Sequence, residues 1–313
     1  MTGTVLQGTI KVGDSLEIPS LGVTKKVKSI QMFRKGVDRV SHGDRAGVCV
    51  TQFDPSLLER GLVCAPGSTP ITFAVIIDLN SIPYFKGEIK SKAKFHMSLG
   101  HETVMGKITI FSSKTTSDAK FDFSTEYEYQ DKFSEENKTE RHFFVLIEFE
   151  RAVPVVPHCI VIGSKLDTDI NSNLCRLAFH GAVQWATTDR DYLKTELQAL
   201  KVYKDKCKEG VAERASNEYE VIVRDLFKKE TNVELFTGLK VELSSGELGT
   251  IEGTFGQSGK IKVRVMNGLS PDTFAKLGAK KKKGEAAPVS DPITLKLKFK
   301  RYMFDQKKLM IQS

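Results

Sequence analysis

The sequence of 313 residues predicts a mainly all-β protein built from consecutive antiparallel β-barrels. Two observations predict it. Short β-branched or apolar runs recur along the chain, and turn residues punctuate them: Gly13-Asp14, Pro19, Gly43-Asp44, Pro66-Gly67, Gly163 and Gly181. Sustained helical periodicity is missing, and so is self-similarity at solenoid periods.

The elements follow in order. Residues 23–33 and 46–53 are the first clear strands, and the Pro66-Gly67-Ser68-Thr69-Pro70 stretch is the first break. Residues 71–79 and 143–149 are the next apolar strands. Between them, residues 112–141 carry eight Asp and Glu, with Phe121, Phe123, Tyr127 and Tyr129 alternating at period two. That stretch predicts a functionally bland surface insertion holding one strand. A second break falls at 186–191. Residues 189–200 place Leu193, Leu197 and Leu200 at helical spacing behind Asp189 and Asp191, which suits a short helix; a linker straightening into a strand at Val202 fits equally well. Strands follow at 219–223, 248–251, 261–265 and 293–299, with a Lys-rich, Gly- and Pro-bearing disordered loop at 275–292. The resulting domains are 1–68, 69–186 and 187–313.

Charge is divided unevenly. Residues 1–200 hold 24 Lys and Arg against 24 Asp and Glu; residues 201–313 hold 23 against 15, the whole net +8. A neutral body with a basic end points to a polyanion-binding module appended to something else. Lys201, Lys204, Lys206 and Lys208 form one basic group. Lys296, Lys298 and Lys300 alternate with Leu295, Leu297 and Phe299, so with Arg301 they make a basic face over an apolar one. Such a face is either simply solvated or neutralises RNA phosphates, in which case binding weakens steeply with salt. The Lys280 to Lys283 run adds nuclear import as a further reading.

Several chemistries are excluded. Gly253 to Lys260 approaches a nucleotide-phosphate loop, but Thr254 stands where the first glycine belongs and Ile261 where the hydroxyl belongs, so a strand connection is the better reading. Asp44-Arg45-Ala46-Gly47 matches a D-x-x-G string, which alone is noise. The six histidines show no metal-ligand spacing. His158 and Cys159 are adjacent and would point to opposite faces of a strand. The five cysteines, Cys49, Cys64, Cys159, Cys175 and Cys207, form no C-x-x-C and read as reduced thiols packed as small hydrophobes. No apolar run approaches membrane-spanning length and no secretory signal opens the chain, so a cytosolic protein without a membrane partner is expected.

The opening carries the most specific pattern: Thr2-Gly3-Thr4-Val5, Gly8-Thr9-Ile10, Val12-Gly13-Asp14, Leu16, Ile18-Pro19, Val27-Lys28-Ser29-Ile30-Gln31 and Gly43-Asp44-Arg45-Ala46-Gly47. In order and spacing it resembles the second-domain β-barrel of translational GTPases. Phe53-Asp54-Pro55, the 57–64 run, Lys92 to His96, Gly100 to Gly106 and Cys175 to Gly181 narrow the resemblance to eukaryotic selenocysteine-specific elongation factors of the SelB type. It covers nearly the whole chain and is weakest at 112–141 and 275–292.

The resemblance implies two barrels of the second- and third-domain type that hold the aminoacyl end and acceptor arm of selenocysteinyl-tRNA. It implies delivery to the ribosome at UGA codons, and a fourth domain coupled to the SECIS RNA through a SECIS-binding protein. It places Arg45 at the selenol, where a guanidinium can tell a largely ionised selenol from the hydroxyl of serine. His96, His101, Glu102 and Arg176 fall in the area it places near the tRNA. The GTPase domain, with GTP and magnesium, precedes the second barrel in this family. This chain starts inside that barrel, so a truncated member with an open sheet edge, no cofactor of its own and no enzymatic activity of its own is expected. The alternatives are a tRNA carrier resembling the gamma subunit of initiation factor 2, and a free-standing RNA-binding protein.

Overall fold

The computed structural model of the chain describes residues 1–114, 120–136, 140–156, 158–167, 174–256, 259–278, 292–305 and 310–312. The chain divides into two compact units: residues 1–122 with 129–192, and residues 123–128 with 193–313.

The first unit opens with β1 (Thr2–Thr4), β2 (Thr9–Lys11), β3 (Ser15–Ile18), β4 (Val23–Met32), β5 (Lys35–Val37), β6 (Arg39–Ser41) and β7 (Arg45–Val50). They form an antiparallel sheet ordered β1-β7-β4-β3 with β5 on β4, and a separate β2-β6 ribbon. Val5, Leu16, Val27, Ile30, Val40 and Ala46 fill the space enclosed. The two Gly-Asp turns are built alike. Gly13 and Gly43 take φ of 95° and 88°, open to glycine at no steric cost. The carboxylate after each accepts the amide three residues back, Lys11 N to Asp14 and Ser41 N to Asp44, both at 2.8 Å. The expected strand at 46–53 stops at Val50, because Gln52 turns the chain at φ 45°.

The chain continues with β8 (Ile71–Asp78), β9 (Asn80–Ser81), β10 (Lys94–Leu99), β11 (Glu102–Ser113), β12 (Tyr127–Gln130), β13 (His142–Pro154), β14 (Ile160–Ser164) and β15 (Leu177–Thr187). Six of these close a barrel in the order β10-β14-β15-β8-β13-β11, with β11 pairing back to β10. Period-two alternation makes the closure possible: Phe95, Met97 and Leu99 face inward from β10, while His96 and Ser98 face out. The Phe95 and Phe179 rings meet edge to face at 5.3 Å in the core.

The acidic segment is the main correction in this region. It is not simply a surface insertion. Phe121 packs edge to face on Phe111 and Phe144, and the strand covers only Tyr127–Gln130 rather than the whole alternating stretch. Residues 123–128 belong to the second unit, where Tyr127 is 2% exposed. Residues 115–119 and 137–139 of the segment lie outside the described residues.

The second unit comprises β16 (Val202–Asn217), β17 (Glu220–Arg224), β18 (Lys240–Leu243), β19 (Leu248–Phe255), β20 (Lys260–Val265), α1 (Pro271–Gly278), β21 (Thr294–Tyr302) and β22 (Met310–Ile311). A second six-stranded circuit closes as β16-β17-β20-β19-β18-β21, with β21 pairing back to β16 along nine residues. The all-β, multi-barrel prediction is borne out. Residues 189–200 are not a helix: they form turns and a single 3-10 turn at Glu196–Ala199. The Asp189 carboxylate accepts the Asp191 amide at 2.8 Å, which favours a turn. Tyr192 is buried while Leu193 is 49% exposed, so the leucines do not share one face. The linker reading, straightening into β16 at Val202, is the one found.

The expected disordered loop at 275–292 begins instead as α1, whose first turn is held by Ser270. Ser270 Oγ accepts the Thr273 amide at 3.3 Å and donates to Glu247 at 2.9 Å. Burial pushes the Glu247 carboxyl up, but hydrogen bonds from Ser245, Thr273 and the Ser270 backbone outweigh it and hold it at about 2. Residues 279–291, with the Lys280 to Lys283 run, lie outside the described residues. The cysteines also depart from expectation: Cys49 and Cys207 are exposed and the other three half-buried, and all are free thiols. Cys207 sits opposite Lys298 on the outward face of β16 and β21, which leaves it outside the core.

Candidate nucleic-acid interface

Arg45 opens β7, opposite Thr4 of β1. The next residue, Ala46, is buried in the core, so the arginine stands on the outward face and is exposed. Its neighbour Asp44 accepts the Ser41 amide, and the Arg45 side chain forms no ion pair or hydrogen bond with another described residue. A turn arginine tied to Asp44 is therefore not what the fold builds. The guanidinium is free for an anion.

The four candidates of the closed barrel fall into two groups. Glu102 starts β11, where Arg151 Nη2 pairs with its carboxylate at 2.8 Å and also reaches the Thr103 carbonyl. His101 sits at the tip of the β10–β11 hairpin, after Gly100 at φ 55°. His101, Glu102 and Arg151 line a cleft of about 520 Å³ together with Arg60, Leu21 and Leu57. His96 and Arg176 meet elsewhere, at the chain after β14: the Leu166 amide donates to His96 Nδ1 at 3.5 Å, and Arg176 Nη1 donates to the Leu166 carbonyl at 3.4 Å. Both residues thus pin a connection. Sequence reasoning missed Arg60 and Arg151, because neither lies in a basic run.

The C-terminal lysines are arranged as alternation predicts but are not a uniform basic strip. Leu295, Leu297 and Phe299 are buried, while Lys296 and Lys298 are exposed and Lys300 is half-buried. Lys300 pairs with Glu126 at 3.0 Å and Lys296 with Glu209 at 3.6 Å. The Glu126 carboxylate also accepts Tyr302 Oη at 2.5 Å; burial, reinforced by this bond, pushes that phenol up to about 12. Lys204 and Arg301 are opposite each other in the ladder, Lys206 faces Phe299 and Lys208 faces Leu297. Lys201 precedes β16. Lys208 lies over the Phe227 ring at 4.6 Å, and burial, then Lys228, lowers its ammonium pKa. A second cleft of about 590 Å³ gathers Lys208, Arg224, Lys228, Lys229 and Lys260. The Lys228-Lys229 pair was the missed signal for it.

Gly253, Thr254 and Phe255 end β19 and Lys260 opens β20, with Phe255 opposite Lys260 in the antiparallel ladder, so these residues are strand and do not fit a nucleotide phosphate. Among the described residues, no group of three or more His, Cys, Asp and Glu side chains could hold a metal ion. No helix among them is long and apolar enough to cross a membrane. What the surfaces offer is charge and hydrogen bonding toward a polyanion.

Comparison with known proteins agrees along the chain. The family model for elongation factor Tu domain 2 matches residues 1–65. The model for the third domain of eukaryotic selenocysteine-specific elongation factors matches 76–181, and that for the eEFSec C-terminal RIFT domain matches 198–308. The selenocysteine-specific elongation factor of Mus musculus is 47% identical over 356 aligned residues, covering 100% of this chain and 61% of its own length. That of Methanocaldococcus jannaschii is 25% identical, over 83% of this chain and 51% of its own length. The chain thus spans about 50–60% of these relatives. Two structures of elongation factor SelB from Methanococcus maripaludis, apo and with the GTP analogue GppNHp, share the fold at TM-scores of 0.53 and 0.57, with 20% identity over 96% of this chain and 58% of theirs. With three family models matched in order and the mouse relative aligned over the whole of this sequence, the chain is similar along its length to the selenocysteine-specific elongation factors.

Proposed function

We propose that this chain forms the cargo- and partner-binding part of a selenocysteine-specific elongation factor: it holds selenocysteinyl-tRNA for delivery to the ribosome at UGA codons. The observation that carries this reading is the alignment of the whole chain with the mouse factor at 47% identity. GTP and magnesium, with the hydrolysis they support, would belong to the part of such factors that precedes the second-domain barrel, and this chain would contribute no catalysis of its own. Its last domain would engage a SECIS-binding protein and SECIS RNA, and the setting would be cytoplasmic.

Arg45 is the residue proposed to recognise the cargo. It is exposed, points away from its own core and has no described carboxylate to neutralise it. A selenolate offers it a charge that serine does not. The cleft of His101, Arg60 and Arg151 and the clustered lysines of the second unit are proposed to hold phosphates of the tRNA or its partners. The experiment is filter binding with one tRNA charged either with selenocysteine or with serine. Arg45→Ala should weaken the selenocysteinyl form about tenfold, near the lower end for one charge-assisted hydrogen bond, and change the seryl form little. Equal loss for both would remove the selectivity role.

A further inference from the structure

Lys208 occupies a position where alternation calls for an apolar residue. In the β16–β21 ladder it stands opposite Leu297, which is fully buried, and residues directly opposite share one face of a sheet. Its ammonium lies 4.6 Å from the centre of the Phe227 ring and 5.5 Å from that of Phe236, and both rings are buried. Two aromatic rings thus hold a half-buried amine at the wall of the second unit's cleft of about 590 Å³. Packing alone does not call for a lysine here, because a leucine or methionine would cover the same rings with no charge to desolvate.

The rest of the cleft narrows what reaches the amine. Arg224, Lys228, Lys229 and Lys260 line it, and Asp225 is the one carboxylate among the described lining residues. Lys260 is held by Glu213 at 2.7 Å, and Arg224 stands 3.7 Å from Asp225. Lys228 and Lys229 are exposed and form no ion pair with another described residue. Such a wall attracts phosphate-bearing molecules and concentrates them beside Lys208. Burial, then the charge of Lys228, lowers the Lys208 ammonium pKa, which enlarges the fraction present as nucleophilic free amine at neutral pH. The cleft therefore combines an amine able to attack with cations able to hold an anionic donor.

We propose that Lys208 is an acyl-modification site: a phosphate-bearing acyl donor, either an acyl phosphate or an acyl-coenzyme A thioester, seats its phosphate on Lys228 and Lys229 and transfers its acyl group to the Lys208 amine. The amine nitrogen attacks the acyl carbon and a C–N amide bond forms. The C–O bond of the acyl phosphate, or the C–S bond of the thioester, breaks. Phosphate or thiolate leaves with the electron pair, and the surplus proton of the amine passes to it or to water. The product is a neutral amide, which removes one positive charge from the cleft. The inference uses the cleft of the second unit alone and needs neither Arg45 nor a bound tRNA.

The test separates a built site from ordinary lysine reactivity. The 313-residue chain is incubated with acetyl phosphate, with acetyl-coenzyme A or with the uncharged donor N-acetoxysuccinimide, and acetylation at each lysine is timed by peptide mass spectrometry. Lys206, exposed on the same strand, and Lys240, exposed on β18, are the internal references. With at least one anionic donor, Lys208 should react roughly tenfold faster than either reference, the low end of what a cleft of one charge sign gains by concentrating an anion. The donor that does so identifies the source of the acyl group. The uncharged donor should show a smaller preference for Lys208. Excess inorganic phosphate, or the double variant K228A/K229A, should reduce the preference of the anionic donor to no more than that of the uncharged one. The phosphate competition uses the parent chain, so the test does not depend on a variant that folds. Equal rates at Lys208 and the references with both anionic donors overturn the proposal. A preference that phosphate leaves intact, or that the uncharged donor shows in full, overturns it as well. Retention of selenocysteinyl-tRNA is measured separately, so the cargo reading can stand where this one fails.

Discussion

Gly181→Ala should abolish folding of the closed barrel in the first unit. A Cβ on Gly181 would lie 1.8 Å from the Asp78 carbonyl oxygen, 2.9 Å from its carbon and 3.2 Å from Ile77 Cβ. Two of these three atoms are backbone, so no rotamer change can relieve the clash. Asp78 ends β8, whose Ala74, Val75, Ile76 and Ile77 are all fully buried. β8 is hydrogen-bonded on both sides, to β13 and β15, and moving it away would break two ladders at once. Overpacking a well-packed core costs about 1–3 kcal/mol, and a backbone clash in the middle of a sheet exceeds that. Against a total stability of roughly 5–15 kcal/mol, the variant should be insoluble, or should show no cooperative melt for this unit. Gly36→Ala is the matched control: nothing lies within 4 Å of its Cβ, and its melting should shift within about 0.5 kcal/mol of the parent. A soluble Gly181→Ala with parental melting would mean that β8 and β15 do not lie as described.

Tyr127→Ala should destabilise the second unit by about 3 kcal/mol, the cost of deleting a large buried aromatic side chain. Tyr127 comes from the acidic segment. Its strand runs parallel to β16, with Tyr127 opposite Val202 and its amide donating to the Lys201 carbonyl at 2.9 Å. Alongside it, Glu126 takes Lys300 and Tyr302, and Lys300 lies over the Tyr203 ring at 4.3 Å. Residues 123–128 thus complete a unit to which they are not contiguous in sequence. Chemical denaturation followed by near-ultraviolet circular dichroism measures the effect. A change below about 0.5 kcal/mol would restore the segment to a solvated surface insertion.

These two residues also mark where the sequence is legible. Closed antiparallel circuits follow from period-two alternation and punctuating turns, and β10 and β21 show that alternation residue by residue. Both Gly-Asp turns are readable because glycine permits the positive φ and the carboxylate closes the turn on an amide three residues earlier. The acidic segment misleads for a physical reason. Its charge suggests solvent, but Tyr127 and Tyr129 are buried, 2% and 7% exposed, and Glu126 finds its partners Lys300 and Tyr302 at sequence separations of 174 and 176. Residues 189–200 mislead because three leucines at helical spacing are not a helix when Asp189 closes a turn on Asp191. The candidate sites divide in the same manner. Arg45 and the alternating lysines could be named from local pattern, whereas Arg60 and Arg151 are brought together only by tertiary folding. The counter-charges that pair Lys296 and Lys300 are equally invisible in a run of lysines.

The central claim is that these barrels hold a particular tRNA. Competition binding tests it most directly: the 313-residue chain is incubated with labelled selenocysteinyl-tRNA and challenged with increasing bulk aminoacyl-tRNA at fixed ionic strength. The account predicts that displacement needs at least about a tenfold excess of bulk tRNA, a preference of roughly 1.4 kcal/mol or more. Displacement at equal concentrations would show that charge alone binds RNA here, and would contradict it.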